Sequence, residues 1–166
     1  YTDDHGKTFH LSENVPVPGS NESTAAELSG GKLMLNARNQ KGDIRARIVA
    51  ISKNGGEKWD TTYFDHNLPD PVCEGSILNI GQKKGKQILA FCNAANTKQR
   101  NNLMLRISFD EGKNWQLSFP VDQDSSNQKS SFTAYSDIVK LNKKTIGILY
   151  ERDNYSQIVF KTVKWK

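Results

Sequence analysis

Two pairs of polar residues stand at the same separation in this chain of 166 residues. Glu22 and Arg38 are 16 positions apart, and their midpoint is residue 30, in the step Gly30-Gly31. Tyr135 and Glu151 are also 16 apart, and their midpoint, residue 143, falls within Asn142-Lys143-Lys144. A turn at each midpoint makes each pair face across an antiparallel hairpin at its open end. Carboxylates, a guanidinium and a phenol gathered at one place can take up protons and bind anions. Arg100, just ahead of NLMLRIS, adds a second guanidinium. Glu74 and Asn93 fall near the same place by analogy of strand position. Arg106 alternates with Leu105 and Ile107 and reads as structural.

The elements that must carry these residues are strands. Period-two stretches recur in KLMLNAR (32–38), IRARIVAIS (44–52), NLMLRISF (102–109), TIGILYE (145–151) and SQIVFKTVKW (156–165). In the second of these, Ile44, Ala46, Ile48 and Ala50 point one way and Arg45 and Arg47 the other, as in a half-buried antiparallel strand. Helical periodicity is hard to find, so the expected class is all-β.

A repeated frame supplies the spacing of the larger units. SKNGGEKW (Ser52 to Trp59) and SFDEGKNW (Ser108 to Trp115) share a pattern that TDDHGKTF (Thr2 to Phe9) follows more loosely. The starts at 2, 52 and 108 give a β-rich unit of about 50 residues, the size of a four-stranded propeller blade. The frame reads as a turn. An Asp or Asn oxygen accepts backbone N–H groups, a glycine supplies the tight bend, and the closing aromatic anchors the loop. Asp4, Asn54 and Asp110 are therefore expected to be structural. The layout is the end of a blade at 1–20, blades at 21–70 and 71–125, and a last one at 126–166 without a frame. About three and a half blades cannot close a ring, which leaves raw strand edges and suggests the C-terminal half of a larger propeller. In such a blade the start of strand one, the end of strand two and the start of strand three share a rim. Glu22, Arg38, Arg100, Tyr135 and Glu151 then converge at one mouth, with the repeated turns on the opposite rim.

Composition narrows the classes. Apolar residues make up 36% and charged residues 25%, as in a globular chain rather than a disordered one. The net charge of +5 is spread over turn lysines such as KKGK (83–86), so nucleic acid is not expected, and with no run of 18 apolar residues neither is membrane insertion. Cys73 and Cys92 stand 19 apart with no histidine partner at metal-ligand spacing, and two buried free thiols are expected. No metal or other cofactor is implied.

The repeated frame matches the Asp box, a turn found in sialidases and other propellers. NESTAAELSGGKLMLNAR, DPVCEGSI, RNNLMLRISFDEGKNW and AYSDIVKLNKKTIGILYE, in that order, resemble the catalytic half of bacterial exo-sialidases (neuraminidases) with a six-bladed β-propeller. The resemblance runs over essentially the whole chain. It implies that Tyr135 is the nucleophile and Glu22 the base that activates it. It makes Arg38 and Arg100 two of three arginines that bind the substrate carboxylate, and Glu151 the residue that orients the third. The third arginine and the aspartate acting as acid/base belong to the family's N-terminal blades, so this chain holds part of a site.

Those residue types suit that substrate. Sialic acid carries a carboxylate on its anomeric carbon, which repels a carboxylate nucleophile. A tyrosine approaches neutral and becomes nucleophilic as a neighbouring carboxylate takes its proton. Guanidinium groups match the two carboxylate oxygens and stay charged. The resemblance thus implies a secreted or cell-surface retaining exo-α-sialidase acting on sialylated glycans, with hydrolysis, intramolecular trans-sialylation or elimination as outcomes. Two alternatives stand beside it: a non-catalytic Asp-box propeller that binds glycans or proteins, and a glucan-cleaving propeller using two carboxylates.

Overall fold

The computed structural model describes residues 1–122 and 132–166. Their strands form three antiparallel sheets. The first holds β1 (Ser20–Glu27), β2 (Leu33–Asn39), β3 (Ala46–Ser52) and β4 (Thr61–Pro69). The second holds β5 (Gly75–Lys83), β6 (Lys86–Ala94), β7 (Leu103–Ser108) and β8 (Leu117–Pro120). The third holds β9 (Thr133–Lys140), β10 (Thr145–Arg152) and β11 (Gln157–Lys164). Each sheet is a meander whose neighbours in space are neighbours in sequence. Residues 1–19 carry the first repeated turn and no strand. The blade boundary expected at 125/126 lies outside the described residues.

The first strands of the three sheets stand side by side. Thr24 of β1 accepts the Ile77 N–H of β5 on its hydroxyl at 2.9 Å, and Ser76 of β5 donates to Asp137 of β9 at 3.0 Å. Strands that start each meander and meet around a common axis define the blades of a β-propeller. Two cores hold the blades together. Leu28, Met34, Val49 and Leu68 pack on Ile77, Leu89 and Phe91 between the first and second sheets. Ile88, Leu103, Leu105 and Ile107 pack on Ile138, Ile146, Ile148 and Tyr150 between the second and third. Each large apolar side chain so buried contributes about 1.5–3 kcal/mol. Cys73, between β4 and β5, and Cys92, in the second core, are buried free thiols, and burial pushes them up to about 11 and about 12.

The repeated turns share one hydrogen-bond pattern. Ser108 Oγ accepts the N–H of Gly112, and Asp110 Oδ1 accepts the N–H of Asn114, at 2.8 and 2.9 Å. The same atoms link Ser52 to Gly56 and Asn54 to Lys58, and Thr2 to Gly6 and Asp4 to Thr8. Gly112 sits at φ 80°, a bend that side chains resist. Two of these turns join the third and fourth strands of a sheet. Glu111, in the turn after β7, reaches Ser29 at the β1–β2 turn, on the rim away from Glu22. The closing aromatics differ in fate. Trp115 packs on Phe91 with centroids 5.8 Å apart, whereas Phe9 is 76% exposed because no described strand flanks it.

Arg47 departs from the alternating pattern expected of its strand. It is fully buried, because β3 lies inside the sheet with both faces covered. Its guanidinium donates to Asn36 Oδ1 at 2.7 Å and to the Cys73 carbonyl at 2.5 Å, and pairs with Asp70 at 3.3 Å. On the third sheet, one face is open: Val139 of β9, Leu149 of β10, and Ile158 and Phe160 of β11 share it by register and are all about half exposed or more.

Candidate active site

Both hairpins that carry the 16-residue pairs are irregular at those pairs. The β1–β2 register breaks between Ser20 and Ser23, beside Glu22 and Arg38. The β9–β10 register breaks between Tyr150 and Arg152, beside Glu151 and Tyr135. A bulge adds a residue to one strand and re-aims its side chain, here at the rim where β1, β5 and β9 begin.

Glu22 and Tyr135 meet there directly, with the Tyr135 hydroxyl donating to Glu22 Oε1. Arg38 Nη1 donates to Glu22 Oε2 at 2.7 Å and to the Tyr135 oxygen at 3.1 Å, closing a three-membered cluster. The Arg100 guanidinium lies over the Tyr135 ring, 5.8 Å from its centroid. Glu151 Oε2 accepts the Tyr135 N–H at 3.1 Å and so fixes the nucleophile candidate's backbone. All five residues marked in the sequence are thus within one cluster. Among the described residues no arginine is paired with Glu151.

Charge in the cluster is set by these contacts. Burial pushes Glu22 up, but the hydrogen bonds from Tyr135 and Arg38 and the positive charges of Arg38 and Arg100 outweigh it, holding the carboxyl below its ordinary range. The hydrogen bond to Glu22 raises the Tyr135 phenol, burial and the Glu22 charge raise it further, and the two arginines pull it back in part. The resting arrangement is therefore a neutral phenol that donates to a carboxylate.

Glu74, at the entry to β5, accepts the Ser136 N–H at 2.9 Å and lines a cavity of about 260 Å³ with Tyr135, Asp137, Leu149 and Glu151. Burial pushes its carboxyl up to about 7, helped by Asp137 and Glu22 and opposed by the Ser136 N–H and Arg47. Asn93, expected beside it, is instead buried and holds the Pro69 carbonyl at 2.7 Å. Arg106 donates to Asn93 at 3.2 Å, in keeping with a structural part. Sequence reasoning missed Tyr155, whose hydroxyl accepts from Arg100 at 2.8 Å. Among the described residues, no group of His, Cys, Asp and Glu is arranged to hold a metal ion.

Blades with their first strands side by side, and a polar cluster where those strands begin, define a β-propeller with its site at the axis. A model of the BNR repeat-like domain family matches residues 1–148, and the chain belongs to that family. It is similar to the sialidase of Bacteroides fragilis, 35% identical over 170 residues, and to that of Micromonospora viridifaciens, 36% identical over 157 residues. These matches take in 100% and 91% of this chain but 30% and 23% of those proteins, so the chain spans less than a third of their length. The solved Hadza microbial sialidase Hz136 matches with a TM-score of 0.80 and 31% identity, over 98% of this chain and 31% of that one. The intramolecular trans-sialidase of Ruminococcus gnavus shares the fold, with a TM-score of 0.79 at 21% identity, over 99% of this chain and 37% of that one.

Proposed function

We propose that this chain supplies part of the active site of a retaining exo-α-sialidase, secreted or at the cell surface, that releases terminal sialic acid from glycoconjugates. The observation that carries the reading is the Tyr135–Glu22 hydrogen bond with Arg38 bonded to both partners. The similarity to sialidases supports the substrate class.

In this reading Arg38 and Arg100 bind the substrate carboxylate. The Tyr135 oxygen bonds to the anomeric carbon as its proton passes to Glu22, and the aglycone leaves with a proton from an acid. That acid, an aspartate, and the third arginine come from blades outside this chain. Water then adds to the anomeric carbon, the bond to Tyr135 breaks, and the phenol recovers a proton. An internal hydroxyl of the sugar in place of water would give an anhydro sugar, and loss of a proton from C3 an unsaturated one. Glu151 keeps an oxygen with which to orient the third arginine. The open face of Val139, Leu149, Ile158 and Phe160 supports the same view, because four large apolar side chains on one sheet face call for a neighbouring blade. The repeated turns read as Asp boxes that brace the rim away from the site.

The test is release of sialic acid from a fluorogenic sialoside by the intact propeller and by this chain alone. Turnover by the intact propeller only is expected. No turnover by either would favour a non-catalytic glycan- or protein-binding propeller.

A further inference from the structure

Arg100 is held from two sides by residues in backbone conformations that their side chains disfavour. Its Nη1 donates to the Tyr155 hydroxyl and its Nη2 to the Val72 carbonyl, both at 2.8 Å. Val72 has φ 63° and Tyr155 has φ 68°. Positive φ is a genuine outlier for a β-branched or bulky side chain, and such residues gather where a structure over-determines them for function. Tyr155 also ends a run, after Asp153 at φ 51° and Asn154 at φ 49°. Asp and Asn tolerate that region, but a tyrosine gains nothing from it locally.

Each strained residue is braced. Beside Val72, the Cys73 N–H donates to Asp70 Oδ1 at 2.9 Å, and the Cys73 carbonyl and Asp70 Oδ2 both meet buried Arg47. Beside Tyr155, the Phe132 ring meets the tyrosine edge-on, with centroids 5.0 Å apart. Phe132 also bridges Asn101, next to Arg100, and its carbonyl accepts the Asp153 N–H at 3.1 Å. The β10–β11 turn and the segment ahead of β7 are thereby tied into one unit around a single guanidinium. Loops that served only to close their hairpins would have no reason to converge on Arg100.

We infer that Tyr155 is a positioning residue for Arg100, and that the 153–155 turn fixes the angle at which this guanidinium meets a substrate carboxylate. The inference rests on the carboxylate-binding role proposed for Arg100. With its rotation restricted by Tyr155 on one terminal nitrogen and Val72 on the other, Arg100 is ordered before an anion arrives, and less is lost on binding.

The test is Tyr155→Phe in the intact propeller, a change that keeps the ring and removes only the hydroxyl. Two measurements separate this inference from the proposed function. Side-chain NMR of the Arg100 guanidinium reads its rotation with or without turnover, and faster rotation in Tyr155→Phe is expected. Sialoside kinetics should show KM raised about 5- to 10-fold with kcat little changed, the pattern of lost uniform binding. In an Arg100→Ala background, Tyr155→Phe should add nothing. Unchanged Arg100 rotation in Tyr155→Phe overturns the inference, as does an equal KM effect in the Arg100→Ala background. A wild-type propeller that fails to cleave the sialoside overturns the proposed function instead, and the NMR result still decides for Tyr155.

Discussion

The hydroxyl of Tyr135 donates to Glu22, 113 residues earlier in the chain and on the first strand of another blade. The two stand on first strands of different sheets, so their bond exists only when those strands gather around the axis. Deleting either half should therefore damage the same step. Glu22→Gln should lower kcat for a sialoside by about 10²–10⁴-fold, the usual worth of a positioned base. Tyr135→Phe should lose at least as much, and the double variant little more than the worse single one, because the two act as a unit.

The pH profile should report the charges around Glu22. Its carboxyl is held below the ordinary range, so Glu22 stays ionised into acid, and if it is the base proposed above, the acidic limb of kcat/KM should lie below an ordinary glutamate's. Arg38→Met removes a hydrogen bond and a positive charge that both favour the carboxylate. The limb should then move to higher pH, and a limb that stays in place would detach Arg38 from Glu22.

Glu74 should weaken the fold as pH rises. Its carboxyl titrates at about 7 in the folded chain against 4.5 for the free side chain, so between these values the folded state holds more proton than the unfolded one. Stability therefore falls with rising pH through that window, and the loss is complete above it, on the order of 3 kcal/mol at most. Glu74→Gln should flatten the decline in Tm between pH 5 and about 7.5. An unchanged slope would place the titration elsewhere.

Arg47 and Asp70 should be worth more to stability than any surface pair. Both side chains are fully buried, so Arg47→Met leaves a carboxylate inside the protein without its cation. A loss of about 3–5 kcal/mol by denaturant unfolding is expected. Asp70→Asn leaves the buried Arg47 guanidinium without its anion and turns an amide NH2 toward a backbone N–H, so it should cost a similar amount.

How much of this was legible follows from what a one-dimensional pattern can carry. The register of an antiparallel hairpin makes residues equidistant from a turn face one another, so Glu22 and Arg38, and Tyr135 and Glu151, were visible as pairs. The bulges that aim them were not, since no residue type marks a bulge here. Arg47 was misplaced because alternation assumes a wet face, and β3 has none. Asn93 was placed by strand position, but its amide turns inward to Pro69. Tyr155 lay beyond reach because its hydroxyl arrives through three successive positive φ angles, and only Asp153 and Asn154 hint at them.

The central claim is that Tyr135 bonds covalently to the sugar. In a sialic acid with fluorine at C3 and a fluoride leaving group at C2, the C3 fluorine destabilises both oxocarbenium-like transition states, and the good leaving group offsets this in the first step only, so the covalent species accumulates. After incubation with the intact propeller and digestion, mass spectrometry should find the sialosyl mass on the peptide that contains Tyr135, and none in Tyr135→Phe. An adduct on a glutamate or aspartate, or steady hydrolysis of a sialoside by Tyr135→Phe, would contradict the account.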